Sequence, residues 1–238
     1  MNFYTDFSEY YDTIFPFRPK VLEFLNRWLP EKGHVLDVGC GTGIYCNHLR
    51  QAGRSFLGTD LDEDMIKEAR KRHPRGNYQV LGMGDLDTLA SGSFSAIFCI
   101  GNVLPHLPAG QLMSFLKTIK TLLVPGGTWL FQTVNFDPIL NQTEYQFPVL
   151  SFPEKELQFH RRYSGITPEA LLFQTRLQQG SQDLFQGEVT LCPRTSDHLL
   201  QSHQQLGFHL KGHFADFSEK PFDGDSNSGN IMVFTSGA

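Results

Sequence analysis

Charge, cysteine and long apolar runs are all scarce in this 238-residue chain. Charged residues make up 19% of it, and 25 acidic side chains outnumber 20 basic ones, for a formal net charge of −5. A non-specific nucleic-acid binder needs the opposite balance to neutralise phosphates, so no nucleic-acid partner is expected. The four cysteines (Cys40, Cys46, Cys99 and Cys192) are too few and too scattered for a disulfide framework. They form no CxxC pair and no clustered histidines accompany them, so no metal site is expected. The opening Met-Asn-Phe-Tyr-Thr-Asp has neither the basic segment nor the apolar core that marks export. The uncharged stretch 88–116 is long enough to span a bilayer, but Gly92, Gly101, Pro105, Pro108 and Gly110 interrupt it. The expectation is a cytoplasmic protein with no membrane segment.

What is present is an ordinary globular share of hydrophobic residues, 40%, and length for one main core with an elaboration. From 34 to 135, short apolar runs alternate with amphipathic stretches. Strands are expected over 34–39, 55–60, 78–83, 95–100 and 128–134. Helices are expected over 44–52, over 62–73 and over 110–123. Asp62 is placed to cap the second of these, and Lys71, Arg72 and His73 fill its last turn before Pro74. In the third, Leu112, Phe115, Leu116, Ile119 and Leu122 repeat as a helical stripe. Such alternation implies a parallel sheet covered on both faces. Beyond Asn135 the pattern changes. Three Gln-rich strands at 157–163, 171–177 and 184–191 have no helices between them, which points to an antiparallel insertion over the main domain. A capped helix at 195–206 and strands at 208–217 and 231–235 return to the sheet, the last two joined through a polar loop at 222–230.

The most informative stretch is Val35-Leu36-Asp37-Val38-Gly39-Cys40-Gly41-Thr42-Gly43. A buried strand runs into a glycine-rich turn and then a helix. Glycine permits positive φ and lets a ligand approach the backbone, while free N–H groups at the helix start attract an anionic or polar group. A dinucleotide fingerprint places its third glycine three residues after the second. Here it comes two after, at Gly43, and Ile44 stands in the dinucleotide position. Asp60, ending the next strand, still sits where a carboxylate holds ribose hydroxyls. The spacing favours an adenosine ligand without a pyrophosphate.

Val35–Gly43 resembles motif I of the class I S-adenosylmethionine-dependent methyltransferases. Further similar segments follow in order: Gly58–Ile66, Met83-Gly84-Asp85-Leu86, Phe94–Leu107 and Leu123-Val124-Pro125-Gly126-Gly127. The resemblance implies a Rossmann-like α/β sheet of seven mostly parallel strands, the last antiparallel, with a small antiparallel β insertion after the fifth strand. The methyltransferase domain would comprise 1–135 and 194–238, and the substrate cover 136–193. With S-adenosyl-L-methionine as cofactor and S-adenosyl-L-homocysteine as product, Asp37, Gly39, Cys40, Gly41 and Gly43 would shape the pocket for methionine and ribose. Asp60 would accept both ribose hydroxyls. Leu61 and Met65 would sandwich the adenine, with Asp85 accepting from its amino group and Leu86 alongside. Ile100 and Asn102 would border the cofactor from the fourth strand. The N-terminal aromatic cluster (Tyr4, Phe7, Tyr10, Tyr11, Phe15) resembles a lid, from which Tyr11 or Arg18 would reach the cofactor. Plainer readings stand beside these: a cap for Asp60, a loop start for Asp85, core for Met65.

For the reaction itself, His106 lies past the fourth strand and is the candidate general base, with an ordinary pKa near the working pH. A structural histidine bonded to backbone is its plainer reading. Asn102–Leu107 together with Asn135-Phe136-Asp137 is similar to the glycine and sarcosine N-methyltransferase branch. There the residue matching Asn135 touches the substrate, and an arginine from the insertion binds its carboxylate. Arg161, Arg162 and Arg176 are candidates here, with Arg162 the choice. Val134 departs from that branch, which has a basic residue there. The leading expectation is methyl transfer to N or O of a small polar metabolite, and a homodimer is compatible with it. A non-catalytic cofactor-binding sensor or partner subunit is the alternative. A macromolecule methyltransferase is the third reading, although Gly101-Asn102-Val103-Leu104 stands where an Asn/Asp-Pro-Pro-Tyr/Phe signature would be.

Overall fold

A computed structural model describes residues 10–237. Two short helices come first, α1 (Tyr11–Ile14) and α2 (Pro19–Trp28). The main sheet is then built from β1 (His34–Val38), β2 (Ser55–Asp60), β3 (Tyr78–Val80), β4 (Phe94–Cys99) and β5 (Leu123–Val134). Helices α3 (Ile44–Gln51), α4 (Glu63–Arg72) and α5 (Leu112–Leu122) connect them. A second sheet follows: β6 (Glu144–Gln146), β7 (Leu150–Phe152), β8 (Leu157–Ser164), β9 (Leu171–Gln179) and β10 (Gln182–Leu191). The chain then returns through α6 (Ser196–Gln205), β11 (Phe208–Phe214) and β12 (Gly229–Ser236).

The seven-stranded sheet has the order β11-β12-β5-β4-β1-β2-β3. β12 is antiparallel to both neighbours, and the other pairings are parallel. Its two faces carry separate cores because successive strand residues point to opposite sides. Leu36, Ile97, Trp129 and Phe131 face α5 and α6, whereas Val35, Ala96, Phe98 and Leu130 face α2, α3 and α4. The strand order reverses between β1 and β4, so the loops leaving their carboxyl ends (39–43 and 100–107) diverge and open a crevice. That is where ligands bind in open α/β sheets.

Several boundaries differ from expectation for local reasons. The third strand stops at Val80, because residues 83–88 wind into a 3₁₀ turn that sends Leu86 into the core. β5 begins at Leu123, and Pro125-Gly126-Gly127 is absorbed as an irregularity where the register against β4 shifts. The eleventh strand ends at Phe214 because Ala215 turns to pair with Lys220. Helix α2, with Pro19 in its first turn and Val21, Phe24 and Leu25 buried, was not anticipated. Nor were β6 and β7, which are three residues each and too short to show alternation.

The second sheet, in order β10-β9-β8-β6 with β7 also paired to β8, is antiparallel throughout. It attaches to the rest through two apolar clusters. In one, Leu157, Phe159, Leu177 and Phe185 receive Ile14 of α1. In the other, Tyr163, Leu171 and Leu191 meet Phe136 and Ile139 beyond β5. No helix of the described residues is long and apolar enough to cross a membrane.

Candidate functional site

The glycine loop is anchored to β2 by Gly39 and Cys40, whose N–H groups both donate to Thr59 O at 2.8 and 2.9 Å. Gly39 and Gly43 have φ of +77° and +75°, and packing forbids a side chain at either. A Cβ at Gly39 would lie 2.6 Å from the Val103 methyls, and one at Gly43 2.5 Å from the Tyr78 ring. Gly41, at φ +53°, is different: only the Tyr11 ring lies near, at 3.5 Å from its hypothetical Cβ. That glycine faces the crevice.

Both oxygens of Asp60 accept backbone N–H groups, Oδ2 from Gly41 at 2.9 Å and Oδ1 from Asp62 at 3.0 Å. Burial raises its pKa, and those two donors oppose the rise. The cap of α4 is Asp62, whose Oδ1 accepts from Asp64 N at 2.9 Å and Met65 N at 3.1 Å. Asp60 is therefore not needed as a cap. Asp37 lies beneath the loop and is fully buried. Its Oδ2 accepts from Cys46 Sγ at 3.2 Å, while its Oδ1 has no partner among the described residues. Burial pushes its pKa up to about 7. A carboxylate buried with an unmatched oxygen is costly unless a cation or donor meets it.

On the far side of Asp60, Gly82 separates Leu61 from Asp85: a Cβ there would lie 3.1 Å from Leu61 Cδ1 and 3.5 Å from Asp85 Oδ2. Leu61 is 73% exposed, an unusual state for leucine at the rim of a crevice. Asp85 is exposed as well. Two expected contacts need correction. Leu86 is in the core with Leu36 and Val38, and Met65 is buried, so neither presents an open apolar face as Leu61 does. Ile100 packs onto the core at the end of β4.

Helix α1 crosses the loop as a strap. Tyr11 covers Gly41, and burial together with the nearby carboxylates of Asp60, Asp12 and Asp37 raises its pKa. Asp12 accepts from Thr42 Oγ1 at 2.7 Å and pairs with Arg72, which also bonds Glu68. Thr13 accepts from Lys155 Nζ at 3.0 Å, tying the strap to the second sheet. Arg18 departs from expectation. It is exposed and sits over Phe217, 5.9 Å from the ring centroid, because α2 carries it toward that side of the sheet. Of the N-terminal aromatic cluster, Tyr4 and Phe7 lie outside the described residues.

The loop after β4 is held from three directions. Gly101 N donates to Gln132 Oε1 at 2.8 Å, Val134 N donates to Asn102 Oδ1 at 2.8 Å, and Asn102 Nδ2 donates to Tyr163 Oη at 3.3 Å. Asn102 adopts φ +64°, a conformation that asparagine tolerates better than most residues and that these bonds fix. Its amide is thus engaged with β5 and the second sheet. Buried Arg194 holds the next turn, donating to the carbonyls of Leu104, Leu107, Pro108 and Cys192 at 2.7–3.3 Å. His106 lies in that turn, and burial lowers its pKa to about 4. Burial thus disfavours the charged ring, against the near-neutral pKa that the base role assumes.

The two expected substrate residues are corrected as well. Asn135 is 1% exposed, and its Nδ2 donates to Gly224 O at 2.7 Å and Asn227 O at 2.9 Å while Oδ1 accepts from Asp137 N at 3.1 Å. It knots the loop before β12 to the end of β5. Arg162 is exposed and donates to Gln174 Oε1 at 2.8 Å, and Arg176 pairs with Asp183 on the same outer surface. The inward arginine is Arg161, in phase with the buried Leu157, Phe159 and Tyr163. Its guanidinium lies 5.0 Å from the Phe147 centroid and 5.9 Å from that of Phe159, and Nη2 donates to Pro148 O at 3.3 Å. Its Nε is buried without a partner among the described residues. Burial lowers its pKa, the mark of a cation with too few compensating acceptors. Alternation along β8 was the signal that separates Arg161 from Arg162. Gln132, Tyr163 and Arg194 carried no such local signal.

Residues 35–127 match the family model described as "Methyltransferase domain". A ubiquinone biosynthesis O-methyltransferase of Albidiferax ferrireducens is 32% identical over 126 residues, covering 50% of this chain and 49% of that protein. The glycine N-methyltransferase of Mus musculus is 32% identical over 123 residues, 45% of this chain and 42% of that one. The chain thus spans about half the length of the curated relatives it matches. A crystal structure of an S-adenosylmethionine-dependent methyltransferase from Clostridium acetobutylicum superposes with a TM-score of 0.78 at 15% identity, covering all of both chains. The matched segment contains β1 to the start of β5, together with the glycine loop, Asp60 and the Gly82 slot. Through that segment the chain is similar to methyltransferase domains, and its sheet has the fold of the Clostridium acetobutylicum S-adenosylmethionine-dependent methyltransferase.

Proposed function

We propose that this chain transfers a methyl group from S-adenosyl-L-methionine to a nitrogen or oxygen of a small polar metabolite bearing an anionic group. The observation that carries the cofactor assignment is the pairing of Asp60 with Gly41 under the Tyr11 ring, beside the Asp37 oxygen that has no partner among the described residues. Those groups suit the cofactor's polar parts: Asp60 for the two ribose hydroxyls, Asp37 for the ammonium. Leu61 and Asp85, on either side of Gly82, suit the adenine face and its amino group. The cofactor supplies a methyl group already activated by a positive sulfur.

The remaining work is alignment and exclusion of water. The strap supports exclusion, since α1 joins the glycine loop, α4 and the second sheet. Arg161 is suited to orient the acceptor, because it lies on the inward face of β8 between Phe159, which meets the strap's Phe15, and Tyr163, which meets Asn102. A carboxylate on the acceptor would supply the acceptor that Arg161 Nε lacks. His106 is too weak a base to deprotonate an ammonium, so an amine acceptor would enter neutral, its proton left to solvent. The O-methyltransferase and N-methyltransferase names among the relatives fit either acceptor atom.

The test is transfer of labelled methyl from the cofactor to a panel of small amines, phenols and hydroxy compounds, each offered with and without a carboxylate. Label should appear in carboxylate-bearing members first. Failure to label any member while the cofactor binds tightly would favour a sensor or partner subunit instead.

A further inference from the structure

Gly58, in the middle of β2, leaves a space that two sulfurs fill. A Cβ at this position would lie 3.0 Å from Cys40 Sγ and 3.1 Å from Cys46 Sγ. The two sulfurs are near enough to shift one another's pKa, and Cys40 Sγ also points at Gly41 O, 3.7 Å away. Cys40 belongs to the glycine loop and is partly exposed; Cys46, in the first turns of α3, is fully buried and donates to Asp37 Oδ2 at 3.2 Å. Cys40 in the glycine loop, Cys46 beside it and the carboxylate that accepts from Cys46 form one connected group.

We propose that Cys40 and Cys46 are a redox-active pair, closed to a disulfide by hydrogen peroxide, and that closure shuts the cofactor site. In the first step Cys40 Sγ attacks the peroxide O–O bond and becomes a sulfenic acid, releasing one water. Cys46 then passes its proton to Asp37 Oδ2 and its sulfur attacks Cys40 Sγ. The S–O bond breaks, and the departing hydroxide takes that proton as the second water. Two thiols lose two electrons, and the peroxide oxygens gain them.

The consequence for the site follows from the contacts that closure removes. Asp37 loses its Cys46 donor, which leaves both oxygens of a buried carboxyl unmatched. Drawing Cys40 toward α3 also strains a loop pinned by the Gly39 and Cys40 bonds to Thr59 O, the Gly41 bond to Asp60 and the Thr42 bond to Asp12. Burial keeps both thiols protonated near neutrality, so closure is slow there and accelerates as pH rises. A bound cofactor would cover Cys40 and protect the pair.

This regulatory step rests on the proposed cofactor site, so the bond and its effect are read separately. Trypsin leaves both cysteines in one peptide, residues 33–50. Treatment with hydrogen peroxide at pH 8.5 should make that peptide about 2 Da lighter, reversibly with dithiothreitol, and C46S should show no such loss. Calorimetry with S-adenosyl-L-homocysteine should show affinity falling at least tenfold on oxidation, returning on reduction, and unchanged by the same treatment in C46S. A peptide about 32 Da heavier, a sulfinic acid with no resolving partner, would overturn the pair. A disulfide that leaves affinity unchanged would overturn the switch. If reduced protein does not bind the homocysteine at all, the cofactor reading fails and the closed site with it, while the mass still reports the bond.

Discussion

Asp37 is the residue at which the cofactor reading makes its sharpest demand. Alone, its carboxyl is buried with one oxygen bonded to a thiol and the other to nothing, and it holds a proton up to about pH 7. An ammonium placed against it would favour the charged form and lower that pKa. Binding should therefore release a proton near pH 7, and affinity should fall as pH drops below that value. Calorimetry of S-adenosyl-L-homocysteine binding in buffers of different ionisation enthalpy measures the released proton directly. D37N should abolish the release; equal proton release in wild type and D37N would remove Asp37 from the site. The glycine motif was legible at this scale because strand, turn and helix are consecutive in sequence. The side chains of Asn102 and Asn135 were not, because their partners lie 32 to 92 residues away.

Among the elements, β8 decides which arginine lies on the buried face of the second sheet. Side-chain alternation puts Arg161 inward and Arg162 outward, a distinction that composition cannot make but phase can. R161A should raise KM for carboxylate-bearing acceptors by about 10- to 100-fold, the range of a lost charge-assisted bond, with little change in cofactor affinity. R162A should leave KM within about twofold. Equal effects of the two substitutions would show that the register does not set acceptor binding. The neighbouring strands β6 and β7 show the limit of pattern reading. They exist through pairing with β8, and three residues are too few to display a period.

Across the whole molecule, the layered core sets how the fold responds to acid. His203 is fully buried between α6 and the sheet; Trp129 Nε1 donates to its Nε2 at 2.8 Å, and its Nδ1 lies 2.6 Å from Leu199 O. It stacks on Phe234 with centroids 4.3 Å apart. Burial lowers its pKa to about 4, so below pH 6.5 the unfolded chain takes up a proton that the native one refuses. Stability is retained above pH 6.5 and lost on descent toward pH 4, by about 2 kcal/mol at pH 5 for this one group. His106 acts in the same direction. Asp37 acts in the opposite one, since its native pKa is raised and acid favours its buried form. Urea unfolding at pH 7 and pH 5 should show a net loss in wild type. H203F should be less stable at pH 7, with Trp129 unpaired, yet show a shallower decline. An unchanged decline in H203F would mean that His203 is not buried in its neutral form. The parallel sheet and the separate antiparallel one were legible in outline, because strand–helix alternation gives way to a helix-free, Gln-rich stretch after Asn135; the strand order was not. The strap's bonds to both parts were not, because they join residues 12 and 13 to positions as distant as 155.

All three scales converge on Asp60, which joins the glycine loop to β2 and is free of any capping duty. Calorimetric titration of wild type and D60A with S-adenosyl-L-homocysteine tests that convergence most directly. Wild type should bind, and D60A should lose about 100-fold in affinity, the value of two hydrogen bonds to a charged group, with the fold retained by circular dichroism. Equal affinity in the two proteins, or no binding by a folded wild type, would contradict it.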